Sequence, residues 1–174
     1  MRARAIAQRL VLPRRGWRAA LLAYLAGALM TLGFAPYHAW PVVFISLPLF
    51  YQLLMTREVR AQALWCGFFF GYGYFMAGTW WIGNALLVDA AKFGWMLPFS
   101  ILGLSAVLAL YFLPLAYAAY RLRTHMTPLL FAALWVGAEY LRSVGAFGFP
   151  WNLAGYIGLA SLPFAQLAAW VGTF

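Results

Sequence analysis

Glu139 and Arg142 stand three residues apart at the end of an apolar run, Leu129 to Ala138, in a chain with only three acidic residues. On a helix that spacing puts them on one face, within reach of each other, so they can pair. An ionisable pair at the end of a hydrophobic helix is expensive unless partnered, turned inward or lifted to an interface, which makes it a functional candidate by default. The plainer alternative is that Arg142 snorkels to lipid headgroups while Glu139 neutralises it. After Arg142 the character changes, because Gly145, Gly148 and Gly155 loosen the backbone and Pro150 removes a donor, so a loop begins there. Phe147, Phe149, Trp151 and Tyr156 are rings suited to a bilayer surface. Beside Arg142, whose forked donor fits phosphate, they are candidates to cover upper acyl carbons, or else an ordinary aromatic belt. Trp81, at the far end of an earlier apolar segment, is a candidate for the same face.

Other reactive side chains assemble into nothing comparable. The single cysteine, Cys66, excludes an internal disulfide, no CxxC or Cys/His cluster is present to bind metal, and His38 and His125 are isolated. No cofactor is implied. Cys66 falls near the start of a helix and Lys92 beyond its other end, which at about 1.5 Å per residue separates them by roughly 30 Å. A covalent mechanism needs its nucleophile and base within hydrogen-bond reach, so Cys66 reads as a buried thiol and Lys92 as an interfacial amine.

These residues must be positioned by membrane helices. Of 174 residues, 66% are hydrophobic and 9% charged, against about a quarter charged in soluble domains. The fold class is therefore all-α, a polytopic membrane bundle of about six transmembrane helices spanning 19–174, behind a basic tail over 1–18. The net charge of +9 forms no stripe on a soluble domain, which argues against a nucleic-acid partner. Nor does the tail read as a cleaved signal, since no convincing cleavage site precedes Pro36 and further apolar segments follow.

The apolar segments run from Ala19 to Phe34, Pro41 to Leu54, Gln62 to about Val88, Trp95 to Tyr120, Pro128 to the Glu139 region, and Pro163 to Phe174. Gly67, Gly71 and Gly78 share one face of the third, a pattern that favours packing within the bundle over dimerisation. Pro114 should kink the fourth. With a cytoplasmic N-terminus, ten basic residues fall inside (six in the tail, Arg57, Arg60, Arg121, Arg123) and two outside (Lys92, Arg142), a bias that favours this orientation. The outer face then collects 34–40, 89–92 and 142–156. The sixth segment has 12 residues, short of the roughly 20 a span needs, so the last helix reads as truncated and the chain as a fragment.

Three stretches carry a resemblance: Gly33-Phe34-Ala35-Pro36-Tyr37 with Trp40-Pro41; the glycine-aromatic run Gly67 to Gly73 with Trp81 after it; and Glu139-Tyr140-Leu141-Arg142 followed by Gly148-Phe149-Pro150-Trp151 and Gly155-Tyr156. In this order they resemble the N-terminal membrane region of bacterial apolipoprotein N-acyltransferases, over about residues 19–174. The resemblance implies an inner-membrane enzyme of eight transmembrane helices with a periplasmic nitrilase-like domain bearing a Glu-Lys-Cys triad. It would take an acyl chain from membrane phospholipid as a thioester, release lysophospholipid, and pass the chain to the amine of a diacylglyceryl-cysteine lipoprotein. Glu58, Lys92 and Cys66 do not match the triad positions. This chain is therefore expected to carry the membrane portion without the catalytic residues and to be inactive alone. From a different class, the alternative is a non-catalytic membrane protein, a small transporter or lipid-binding scaffold, in which Glu139 and Arg142 gate or bind substrate. A transporter should show internal repeats, and no convincing one is present.

Overall fold

A computed structural model describes residues 16–145 and 148–174. Most of the basic tail and Phe147 lie outside the described residues. Secondary structure is helical throughout, with no strand among the described residues. The helices are α1 (Gly16–Met30), α2 (Val43–Met55), α3 (Arg60–Gly78), the one-turn α4 (Asn84–Leu87) and α5 (Ala90–Phe93), α6 (Leu97–Ala109), α7 (Phe112–Arg121), α8 (Pro128–Val144) and α9 (Leu162–Val171). Short 3-10 turns link several of them, including Trp80–Gly83 and Ala154–Ala160.

The centre is α3, which packs on α1 along one side and on α6 and α7 along another. Both contacts depend on missing side chains. A methyl at Gly27 would collide with the Phe70 carbonyl and one at Gly73 with the Tyr24 carbonyl, so α1 and α3 touch backbone to backbone. Gly67 and Gly71 meet Ala116, Phe112 and Ala109 in the same way, which places the glycine face inside the bundle. Aromatic rings fill the middle: Phe50 stacks on Phe70 with centroids 3.9 Å apart, and Phe112 and Trp135 meet edge to face at 5.2 Å. Each such pair adds roughly 0.5–1.5 kcal/mol beyond area burial.

Two expected helices are interrupted. The fourth segment breaks between Ala109 and Phe112, because Pro114 has no N–H for the Leu110 carbonyl and its ring crowds that oxygen; Leu113 N takes it at 3.0 Å instead. The third segment does not run to Val88. It stops at Gly78, where the Thr79 amide and hydroxyl both take the Phe75 carbonyl, and the chain tightens into the 3-10 turn that holds Trp81.

Among the described residues, one helical stretch, Ala90–Arg121, is long and apolar enough to cross a membrane, and Trp40–Met55 is a shorter apolar one. Large apolar side chains nonetheless cover the outside; Trp170 and Val88 are each 89% exposed and Leu129 80%. The turns collect at two ends. At one, Tyr51 Oη donates to the Met126 carbonyl at 3.0 Å and Arg123 to the Arg57 carbonyl at 3.3 Å. At the other, Gly33 lies against Ile157, and Gly78 against Asn152 and Thr31.

Candidate functional site

Helix α8 builds the site from one stripe. Thr127 caps it, its hydroxyl accepting from Leu130 N at 3.1 Å, and Pro128 occupies the first turn, where no donor is needed. The buried residues Phe131, Trp135, Ala138, Glu139 and Arg142 recur at helical spacing along one side, so the two charged residues enter the bundle on the face that carries the core.

Glu139 and Arg142, which their spacing allows to pair, both turn to the backbone of the loop that follows. Arg142, only 1% exposed, donates from Nη1 to the Phe149 carbonyl at 2.8 Å and to the Trp151 carbonyl, and from Nη2 to the Asn152 carbonyl at 3.3 Å. Its guanidinium lies 5.0 Å from the Phe75 ring centroid and 6.0 Å from that of Phe149. Glu139, 3% exposed, accepts from Ala154 N at 2.7 Å through Oε1. Their charges stay within electrostatic reach of each other. The cause is backbone accounting. A loop folded against a helical core carries carbonyls and amides that no helix ladder pairs, and each left unpaired and buried would cost on the order of 1–3 kcal/mol. One guanidinium answers three carbonyls and one carboxylate answers an amide. The same bonds compensate the desolvation of both charges.

The loop is shaped to accept them. Phe149 N caps the Arg142 carbonyl at 3.1 Å, closing the end of α8. Gly148 (φ +47°) and Asn152 (φ +57°) adopt left-handed backbone, which glycine takes freely and asparagine better than most residues. Leu153 and Ile157 are buried anchors. From α3, the Tyr74 hydroxyl donates to the Asn152 carbonyl at 2.5 Å, and the Asn152 side chain fills the space left open by Gly78.

The six candidate residues thus separate by environment. Glu139, Arg142 and Phe149 are buried and frame the loop. Trp151 and Trp81 are exposed and Tyr156 is half-buried. Trp81 donates from Nε1 to the Gly78 carbonyl at 3.1 Å, so it rises beside the glycine against which Asn152 rests, at the same end as the loop. Sequence reasoning did not single out Tyr74, Phe75, Asn152 or Trp135. Tyr74 lies between Gly71 and Gly78 on the shared helix face, the one signal available for it. The Trp135 indole N–H, one turn before Glu139, is buried and points its donor toward that carboxylate in loose hydrogen-bond geometry. Cys66 is buried on α3 near Arg57, whereas Lys92 is exposed on α5 over the Phe93 ring. Among the described residues no three metal-ligating side chains gather.

Residues 26–174 match the family model described as the apolipoprotein N-acyltransferase N-terminal domain. The chain belongs to the apolipoprotein N-acyltransferase family. It is 43% identical over 166 residues to the apolipoprotein N-acyltransferase of Rhodopseudomonas palustris, covering 90% of this chain and 31% of that protein. To the protein of the same name from Allorhizobium ampelinum it is 40% identical over 171 residues, 91% of this chain and 32% of the relative. The Caulobacter vibrioides protein of that name is 38% identical over 165 residues, 92% and 31% respectively. The chain spans about a third of the length of the curated relatives it matches.

Proposed function

We propose that this chain is the membrane portion of an apolipoprotein N-acyltransferase, set in the bacterial inner membrane as about six helical passes with its N-terminus in the cytoplasm. Family membership over residues 26–174 is the observation that carries this reading. The large apolar side chains left exposed on α8, α9 and the 84–88 segment support it, because a lipid or protein cover is needed for so much apolar surface. The end that gathers Gly33, the Trp80–Gly83 turn and the 148–157 loop is the floor on which the phospholipid donor and the diacylated lipoprotein acceptor rest. Trp81, Trp151 and Tyr156 contact their chains and headgroups. Glu139, Arg142 and Phe149 serve that contact by holding the loop; the fork of Arg142 is already committed to carbonyls and is poorly placed to take phosphate as well.

The covalent steps of acyl transfer are not assigned to residues of this chain. Cys66 is buried among hydrophobic side chains, and Lys92 lies past the far end of the helix that carries it. In phospholipid micelles, the purified chain should leave a diacylated lipopeptide unchanged and form no thioester at Cys66, read by mass spectrometry. Acylation of the peptide would overturn the assignment.

A further inference from the structure

On the outer side of the α1–α3 contact runs a groove formed by residues outside the 148–157 site. Its larger section, about 430 Å³, is walled by Trp17, Leu21 and Tyr24 of α1 and by Phe69, Tyr72 and Met76 of α3. An adjoining section of about 270 Å³ shares Trp17, Ala20 and Phe69 and ends at Gly16, Gln62 and Trp65. From Gln62 to Met76 the groove follows α3 for roughly 21 Å at 1.5 Å per residue. One leaflet contributes only about 15 Å to a 30 Å hydrocarbon core, so a single acyl chain fits lengthwise.

The walls are set by their own contacts. Trp65 stacks on Phe69 at 5.7 Å and Phe68 on Tyr72 at 5.9 Å, while Tyr24 and Tyr72 lie 6.1 Å apart. The Tyr24 hydroxyl donates to Met76 Sδ at 3.3 Å, which ties a polar atom of the wall to the neighbouring helix. The two ends differ in kind. The Arg18 guanidinium sits 5.2 Å over the Trp17 ring, and Gln62 lines the same end. A long apolar trough with a cationic and amide-bearing mouth complements an amphiphile with one anionic head.

We propose that this groove binds an anionic glycerophospholipid, with an acyl chain along α1 and α3 and its phosphate at Arg18 and Gln62. On the orientation proposed above, that lipid belongs to the cytoplasmic leaflet, opposite the floor assigned to acyl transfer. The site rests on the chain being a membrane protein and not on its reaction.

Native mass spectrometry of the full chain tests it, after delipidation in neutral detergent and incubation with equal amounts of phosphatidylglycerol and phosphatidylcholine of matched chains. One phosphatidylglycerol should be retained, favoured by about fivefold, the scale of one basic residue at a bilayer surface. Arg18→Gln should abolish the preference while leaving acyl occupancy. Leu21→Trp, which fills the trough from an exposed position, should lower retention of both lipids; Ala20→Phe does so from the shared floor, and circular dichroism establishes that at least one variant is folded. Equal retention of the two lipids by the unaltered chain, or unchanged retention in a folded filling variant, overturns the site. So does a photo-crosslinker at position 72 that captures protein rather than lipid in membranes. Release of the chain from membranes by alkaline carbonate would instead overturn the membrane reading, so the two failures are distinguishable.

Discussion

The Tyr74 hydroxyl and the Asn152 carbonyl oxygen, 78 residues apart in the chain, are joined by a hydrogen bond of 2.5 Å. Arg142 Nη2 reaches the same carbonyl at 3.3 Å, so α3 and α8 grip one backbone atom from two sides. Asn152 is also the residue whose left-handed backbone turns the loop. Tyr74→Phe removes one of the two donors and leaves the other. It should lower stability by about 1 kcal/mol, read as a small drop in melting temperature in detergent, with the fold retained. A melting temperature equal to that of the unaltered chain would show that the bond holds nothing.

Arg142 should matter far more than Tyr74. Arg142→Gln takes the guanidinium donors from the Phe149 and Trp151 carbonyls and leaves the Asn152 carbonyl to Tyr74 alone, a loss of about 2–6 kcal/mol at roughly 1–3 kcal/mol for each buried carbonyl left unpaired. Glu139→Gln keeps an amide oxygen for Ala154 N and should cost only about 1–2 kcal/mol. The order of the two variants in thermal unfolding is the check. Equal losses would mean that loop backbone satisfaction is not what Arg142 supplies.

Glycines at packed and open helix positions should respond in opposite ways to an added methyl. Gly73→Ala drives a methyl into the Tyr24 carbonyl and should destabilise by about 1–3 kcal/mol through overpacking. Gly103→Ala on α6 meets nothing within 4 Å and should be neutral or stabilise by about 0.5–1 kcal/mol, since alanine loses less backbone entropy in a helix. A paired melting series decides it, and equal effects would contradict the backbone contact between α1 and α3.

Proline and glycine spacing marks most helix boundaries, because loss of a donor is local chemistry: Pro128 opens α8, Pro163 falls in the first turn of α9 and Pro114 breaks the fourth segment. The early stop of α3 is not local. Thr79 ends it where the Asn152 side chain presses on Gly78, a contact between residues more than seventy positions apart. Glu139 and Arg142 stand out in sequence because charge is scarce, yet their partners are backbone groups, and a carbonyl has no side-chain signature. Spacing alone therefore points them at each other. Residues Gly27 and Gly73 are legible as small, but only packing shows that each opening receives a backbone carbonyl of the other helix, Phe70 for Gly27 and Tyr24 for Gly73.

The proposed orientation predicts a labelling pattern. In a Cys66→Ala background, thiols introduced at the exposed positions Tyr37 and Val88 should react with a membrane-impermeant maleimide from the periplasmic side. A thiol at Glu58, in the turn between α2 and α3, should react only once the cytoplasmic face is opened. Reversed accessibility would invert the orientation, and the lipid groove would then lie in the other leaflet.

The exposed rings provide the test of substrate contact. Trp151 is about half exposed although its own carbonyl is held by Arg142, so its ring can be removed without touching the bond that fixes the loop. Trp81 is similar, since its indole donates only to the Gly78 carbonyl three residues back. If these rings cover upper acyl carbons, truncation removes apolar contact made equally in the bound substrate and the transition state, which raises KM and leaves kcat in place. A suitable enzyme is a chimera in which this chain replaces the aligned third of the Rhodopseudomonas palustris relative. In it, Trp151→Ala and Trp81→Ala should each raise KM for phospholipid or lipopeptide by about tenfold, the ratio that 1.4 kcal/mol of lost contact gives. Arg142→Gln should reduce folded yield first, because its role runs through the loop. Unchanged KM in both tryptophan variants would remove the lipid-contact role, and a fall in kcat with KM constant would place the rings at the transition state instead.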